Sequence, residues 1–300
     1  MNHALKIDPL IKKKIDSGQP VVAVESAILT HGLPSFQAES LVKKIFNLCQ
    51  ERSVSPAFLS LNRGDLSVGM PEKDLLSLIA RQSLKKVSYR NLGVAMAKRW
   101  SGGTTVSSGA YLAKQCKLPV FCTGGIGGVH RGFKNTFDIS QDIFVLSKTP
   151  VLVISSGAKA ILDLHKTFEA LEFFGIPVVG YNTNEFPAFW SKSSGILLES
   201  SVSSPSEVSA VWKHHLRSGV GSALIIANPA PEKHEISYSE ISAFVDSALM
   251  DAKESGVCGP AVTPFVLSQL NEKTGGRCLE ANLALAINNF KLGVEVSMLI

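Results

Sequence analysis

Short apolar runs that recur along the chain restrict its fold more than any other feature. Five of them, at residues 20–24, 119–122, 150–154, 176–180 and 223–227, have the length and composition of buried strands. Segments with helical apolar spacing, such as residues 205–216 and 240–254, lie among them. Strands that alternate with helices predict an α/β fold whose mainly parallel or mixed sheet is covered on both faces. No repeat or linker interrupts the pattern, so we expect a single α/β/α layered domain over residues 1–300.

The composition excludes several classes of protein. The 300 residues are 45% hydrophobic and 18% charged, which suits a well-packed globular enzyme. The net charge of +5 is spread along the chain, so we expect no nucleic acid partner. Five scattered cysteines without a C-x-x-C pair favour a reducing, cytoplasmic location over a disulfide framework or a zinc site. No apolar run is long enough to span a bilayer, so no membrane association is expected.

Polar residues follow the predicted strands, where the ligands of parallel sheets usually bind. They are Glu25, Thr123, residues 155–159, Asn182 and Asn228. Glu25 ends the apolar stretch V-V-A-V-E, and apolar neighbours should raise its pKa and suit it to general acid catalysis. A carboxylate that caps the next loop or pairs with an arginine is the alternative.

The stretch V-L-V-I-S-S-G-A-K ends on Lys159, which is the candidate nucleophile. We expect a strand, a tight turn and then a helix over residues 158–174, with Lys159 in its first turn. The positive end of the helix dipole disfavours an ammonium group there, and a dry site disfavours it further. A neutral amine can attack a carbonyl carbon and form an imine. The alternative is a solvated lysine that merely begins a helix.

Three further segments carry candidate binding groups. Residues 102–106, G-G-T-T-V, offer main-chain amides suited to a phosphate. The glycine-rich residues 122–132 match neither a dinucleotide fingerprint nor a P-loop. Asp138 and Asp142 share one face if their segment is helical, and with Ser140 they form an oxygen-rich surface suited to Mg²⁺ or Mn²⁺. Helix capping is the alternative for these side chains.

Taken together, the motifs resemble those of the pseudouridine-5′-phosphate glycosidases. The resemblance runs from about residue 20 to about residue 290 and rests on E-S-A-I-L-T-H-G-L-P, K-V-S-Y-R-N-L, G-G-T-T-V, T-G-G-I-G-G-V-H-R-G, T-F-D-I-S-Q-D, S-S-G-A-K-A-I-L-D-L and A-N-L-A-L-A-I-N-N. It implies reversible cleavage of the C–C glycosidic bond of pseudouridine 5′-phosphate to uracil and ribose 5-phosphate. It also implies an α/β/α fold, a homotrimer and a divalent metal, usually Mn²⁺.

The resemblance assigns roles to residues that match the family motifs. Glu25 corresponds to the proton donor, Lys159 to the nucleophile and Asp138 to the metal position. The positions that resemble substrate-binding residues are Lys86, Val106, Ser140, Gln141 and Asp142. Asn282 resembles a further active-site residue. Protonating a glycosidic oxygen cannot break a C–C bond, so an amine that bonds to C1′ of an opened ribose explains the lysine.

The chain departs from the family pattern at several positions. Tyr89, Arg90 and Asn91 replace part of a stretch that usually holds a basic and an acidic residue. Gly109 stands where a threonine is usual, and Pro260 lies in a loop where a lysine is common. These changes affect the residues expected to bind the substrate phosphate, or their supports, more than they affect Lys159 or Glu25. We therefore expect them to affect substrate affinity more than chemistry.

Two other functions fit part of the same pattern. An imine-forming sugar-phosphate aldolase or lyase would use the lysine and the phosphate loop, but it leaves the uracil-site motifs unexplained. A catalytically silent nucleotide-binding subunit would bind ligand without turnover. The presence of both candidate catalytic residues disfavours this second alternative.

Overall fold

The computed structural model describes residues 5–257 and 262–300, so Pro260 lies outside the described residues. In chain order the strands are β1 (Leu5–Ile7), β2 (Val21–Val24), β3 (Ser55–Asn62), β4 (Asp65–Val68), β5 (Lys85–Val87), β6 (Gly102–Thr104), β7 (Val120–Cys122), β8 (Leu152–Ser155), β9 (Val178–Tyr181), β10 (Ser201–Val202) and β11 (Leu224–Ala227). The α-helices are α1 (Pro9–Asp16), α2 (Ser35–Glu51), α3 (Glu72–Ile79), α4 (Leu92–Ala97), α5 (Val106–Gln115), α6 (Phe133–Thr136), α7 (Gln141–Leu146), α8 (Leu164–Phe173), α9 (Pro205–Arg217), α10 (Tyr238–Glu254), α11 (Val262–Lys273) and α12 (Arg277–Ser297).

A mixed, mostly parallel sheet forms the centre of the protein, as the sequence predicts. Its strands follow the order β1, β4, β3, β2, β7, β8, β11, β9 and β10, while β6 pairs with β3 and carries β5. The central pairs β2–β7, β7–β8 and β8–β11 are all parallel. Strands β2, β8 and β11 are buried at every position, which explains their continuous apolar sequences.

Helices cover both faces of this sheet. Successive residues of a strand point to opposite sides, so neighbouring residues of β7 meet different helices. On β7, Phe121 faces α5, where a Cβ at Gly109 would lie 2.7 Å from Phe121 Cζ. The next residue, Cys122, faces α12, where a Cβ at Gly293 would lie 2.2 Å from Cys122 Sγ. The two glycines therefore let a helix approach each face closely. Among the helices of residues 5–257 and 262–300, none is both long and apolar enough to cross a bilayer.

Strands β5 and β6 bring a lysine to the end of β2. The hydroxyl of Ser26, just after β2, accepts a hydrogen bond from Thr104 N at 3.0 Å. Both the Ser26 and the Thr104 hydroxyls donate to Leu59 O on β3. The pairing of β5 with β6 then carries Lys86 alongside this junction. The predicted turn at residues 102–106 is wrong for its glycines, which form β6, while phosphate binding there stays a prediction.

Candidate active site

Polar residues from four neighbouring strands gather at one edge of the sheet. Glu25 follows β2, Thr123 follows β7, Ser156 follows β8 and Asn228 follows β11, and all four are buried. This confirms the predicted convergence for these residues. Asn182 does not join them, because it follows the more distant β9, is exposed and bonds through its main chain to Val202 O.

Glu25 has the environment expected of a proton donor. Its side chain is buried, and the Thr123 hydroxyl donates a hydrogen bond to Oε2. Burial raises the pKa of the Glu25 carboxyl above its ordinary value, while the charge of Lys159 and the Thr123 hydrogen bond act against this. Thr123, rather than an arginine, is the hydrogen-bond partner of the carboxyl. The burial of the carboxyl, on which the predicted rise in pKa rests, is confirmed.

Lys159 reaches the same site by a different route from the one expected. The prediction of a helix over residues 158–174 is wrong at its start, because α8 begins at Leu164 with Asp163 as its N-cap. Gly157, at φ +68°, turns the chain after β8, and Lys159 N then donates to Ile126 O at 3.1 Å. The dipole argument therefore does not apply. The glycine-rich loop, rather than a helix end, places the half-buried lysine.

Lys86 lies within electrostatic reach of both catalytic candidates. Loss of solvent around its amine is the largest factor that lowers the pKa of Lys86, and the positive charge of Lys159 is the second. The carboxylates of Glu25 and Asp142 act in the opposite direction. The positive charge of Lys86 suits this part of the site to an anionic substrate such as a phosphate ester.

Asp142 links the start of α5 to the glycine-rich loop. Its buried carboxylate accepts from Ser107 N at 2.9 Å and from Gly127 N at 2.8 Å. Helix α7 begins only at Gln141, so Asp138 and Asp142 do not share a helix face, which corrects the conditional prediction. Both oxygens of Asp142 are thus engaged by main-chain amides.

The other candidate binding residues lie around this junction. Ser140 is the N-cap of α7 and accepts from Asp142 N at 3.2 Å. Gln141 Oε1 accepts from Arg90 N at 2.9 Å, and Val106 is the buried first residue of α5. Ser140 therefore caps a helix, as its alternative interpretation proposed. The structure gives Ser140 and Gln141 hydrogen-bond partners within the protein and buries Val106. The substrate-binding roles of these residues stay predictions.

Asp138 precedes α7 and exposes 59% of its side chain. Its Oδ2 lies 3.9 Å from His130 Nδ1, and burial lowers the pKa of that histidine, although Asp138 itself acts to raise it. Within residues 5–257 and 262–300, no three His, Cys, Asp or Glu side chains meet in a way that could hold a metal. The surroundings of Asp138 therefore fit a hydrated Mg²⁺ or Mn²⁺ held by one carboxylate, and they do not fit a cage of protein ligands.

Asn282 accepts a hydrogen bond from Trp190 Nε1 at 2.7 Å. It lies one helical turn before Leu285 on α12, and Leu285 lies 3.2 Å from where a Cβ at Gly124 would stand. The helix thus holds Asn282 near the glycine-rich loop that carries Thr123 and supports Lys159.

Sequence reasoning missed two features of the site. The chain after Glu25 forms a π-helical turn, Ile28–Gly32, a rare conformation that is frequent at functional sites. Asn289 is fully buried in α12 and bonds to three of the converging loops. The signal for Asn289 was the pair of asparagines in the apolar stretch A-L-A-I-N-N-F.

Comparison with known proteins identifies the family. The family model described as "Indigoidine synthase A like protein" matches residues 10–299. A pseudouridine-5′-phosphate glycosidase of Methylobacterium nodulans is 40% identical over 294 residues, which cover 98% of this chain and 87% of that protein. The chain belongs to this family. A relative of the same name from Solibacter usitatus is also 40% identical, over 98% of both chains.

Solved structures extend the family likeness to the fold. An indigoidine synthase A-like protein from Thermotoga maritima superposes with a TM-score of 0.90 and 34% identity, covering 99% of this chain and 97% of that one. The prealnumycin C-glycosynthase AlnA, determined in complex with ribulose 5-phosphate, gives a TM-score of 0.90 at 29% identity with the same coverage. The expected fold and family are thus confirmed.

The departures from the family pattern have local explanations at three positions. Asn91 Oδ1 accepts from Ser88 N at 2.8 Å and caps the turn that holds Arg90. Tyr89 packs edge-to-face on Tyr111, with ring centroids 5.1 Å apart. The Phe121 ring occupies the space that a side chain at Gly109 would need.

Proposed function

We propose that this family member interconverts pseudouridine 5′-phosphate and water with uracil and ribose 5-phosphate, through an imine on Lys159. The observation that carries the proposal is the meeting of a buried Glu25, whose pKa burial raises, with Lys159 and Lys86. The names of the relatives support the substrate, and the ribulose 5-phosphate complex of AlnA supports a pentose 5-phosphate as the bound half.

The proposed steps balance with one water molecule. Glu25 donates a proton to the ribose ring oxygen, the C1′–O4′ bond opens, and the neutral amine of Lys159 bonds to C1′. The C1′–C5 bond to uracil then breaks, its electron pair takes a proton at C5, and the lysine nitrogen stabilises C1′ as an imine. Water hydrolyses the imine to ribose 5-phosphate and free lysine. The alternative is that Glu25 donates the second proton, to C5 of the departing uracil.

Binding of the substrate phosphate is proposed for the cationic side of the site. Lys86 is proposed to supply positive charge, and Val106, Ser140, Gln141 and Asp142 are proposed to form the adjoining wall at the starts of α5 and α7. Asn282 is proposed to contact the substrate from α12. These assignments follow the family motifs.

A divalent metal and a trimer complete the proposal. Asp138 would hold Mn²⁺, or another divalent ion, together with water, and the ion would supply positive charge near the substrate phosphate. Phe137, the neighbour of Asp138 in sequence, is 80% exposed and Phe144 on α7 is 50% exposed, and this supports a second copy covering these side chains. A homotrimer is the proposed state, which light scattering of the purified protein tests. A cytoplasmic location stays a prediction.

The experiment follows uracil release from pseudouridine 5′-phosphate by absorbance, with Mn²⁺ and then with EDTA. Borohydride added during incubation with ribose 5-phosphate should trap a reduced pentose phosphate on Lys159, identified by peptide mass. Lys159→Ala should lose both turnover and trapping. Lys166→Ala, which removes an amine that pairs with Asp163 at the surface, is the matched control and should keep both. Normal turnover by Lys159→Ala would refute the mechanism.

The same assay separates the alternative functions. Cleavage of deoxyribose 5-phosphate without any uracil release from pseudouridine 5′-phosphate would indicate the aldolase or lyase reaction. Tight binding of pseudouridine 5′-phosphate without turnover would indicate a silent subunit.

A further inference from the structure

A buried amide lies directly beneath the converging strand ends. Asn289 Nδ2 donates to Thr123 O at 2.9 Å and to Gly124 O at 3.2 Å. Its Oδ1 accepts from Asn228 Nδ2 at 2.9 Å. The Ser156 hydroxyl lies 3.1 Å from Nδ2 and 3.3 Å from Oδ1. One side chain of α12 thus bonds to residues at the ends of β7, β8 and β11.

These partners belong to the loops that carry the two reacting groups. The Thr123 hydroxyl donates to the Glu25 carboxyl, so the position of the Thr123 main chain sets the direction of that hydrogen bond. Ser156 lies in the turn that leads to Lys159. The amide of Asn289 therefore connects the loop next to the acid with the turn that carries the nucleophile.

Burial holds the Asn289 amide in one orientation. Asn289 is fully buried, so a group that loses its hydrogen bond to this amide cannot bond to water instead. Rotation of the amide would leave the Thr123 carbonyl without its donor, whereas Gly124 O would keep the hydrogen bond from Ser156 N at 2.9 Å. Asn288, the preceding residue, is only half-buried, and its amide donates to Pro229 O at 3.1 Å. Two adjacent asparagines thus occupy very different environments.

We propose that Asn289 is a positioning residue that fixes the separation between Glu25 and Lys159 by holding the Thr123 loop and the turn at residues 156–159 together. The inference rests on the proposed function. Asn289 has no exposed surface, and its amide bonds to Thr123 O and to the Ser156 hydroxyl. It therefore acts through Thr123 and Ser156 and does not contact the substrate itself.

The test compares Asn289→Ala with Asn288→Ala in the uracil-release assay. A shift of about 1 Å between reacting groups costs on the order of 100-fold in rate, so Asn289→Ala should lose about that much kcat. KM should change by no more than about threefold, because no substrate contact is lost. Asn288→Ala should keep the wild-type kcat. Asn228→Ala, which removes one bond to the amide, should lose about 10-fold.

A double-mutant cycle separates positioning from a general loss of stability. If Asn289 acts through the Thr123 loop, the losses of kcat in Asn289→Ala and Thr123→Val should combine less than additively. Fully additive losses, or a folded Asn289→Ala enzyme with wild-type kcat, would overturn the inference. If Asn289→Ala does not fold, an unchanged kcat in Asn228→Ala overturns it instead. A wild-type protein that releases no uracil overturns the proposed function, and the inference falls with it.

Discussion

Replacing Asp142 by alanine should destabilise the protein far more than the loss of an ordinary surface carboxylate. Its two oxygens accept from Ser107 N at 2.9 Å and from Gly127 N at 2.8 Å, and both of these residues are buried. Asp142→Ala therefore leaves two buried amides without an acceptor. Each such amide costs about 1–3 kcal/mol, so the free energy of unfolding should fall by about 4 kcal/mol.

Urea unfolding at constant pH measures this loss, provided that the m-value stays constant. Asp142→Asn keeps one acceptor oxygen and should lose about half as much. Asp246→Ala is the control, because it removes a 63% exposed carboxylate paired with Arg131 and should cost no more than about 1 kcal/mol. A pure substrate-binding role would instead raise KM at unchanged stability. A loss below about 1 kcal/mol in Asp142→Ala would refute the structural reasoning.

Three other predictions follow from the structure. Burial raises the pKa of Glu25 above its ordinary value of 4.5, so the unfolded chain loses this proton at a lower pH than the folded protein does. The free energy of unfolding should therefore fall as the pH rises from about 4.5 through the folded-state pKa. Glu25→Gln should flatten this part of a urea-unfolding pH series, and parallel curves for the two proteins would contradict the prediction. Gly109→Ala should lower the free energy of unfolding by about 1–3 kcal/mol, because the new Cβ would lie 2.7 Å from the fully buried Phe121 ring. Adding Phe121→Leu should restore this stability. A double variant that stays as unstable as Gly109→Ala would show that another contact is responsible. Asp138→Asn should weaken Mn²⁺ binding, measured by electron paramagnetic resonance, whereas Asp246→Asn should not; equal binding by both variants would exclude Asp138 as the ligand.

The sequence by itself determined the layered α/β architecture and the edge of the sheet that holds the site. Buried parallel strands such as V-V-A-V and L-I-I-A are apolar throughout, and this signal is local. The polar residue that ends each strand is equally visible, so strand ends alone were enough to place Glu25 and Thr123 at one edge. The family motifs added roles for Glu25, Lys159 and Asp138 that spacing alone does not provide.

Only the tertiary structure decided how the site is held together. The turn before Lys159 pairs with Ile126 instead of starting a helix, and Asp142 accepts from an amide 35 residues away in Ser107. Asn289 reaches Thr123 across 166 residues of sequence. Periodicity and capping patterns report on neighbours within a few residues, whereas these hydrogen bonds depend on which buried groups the folded sheet brings together and leaves in need of a partner.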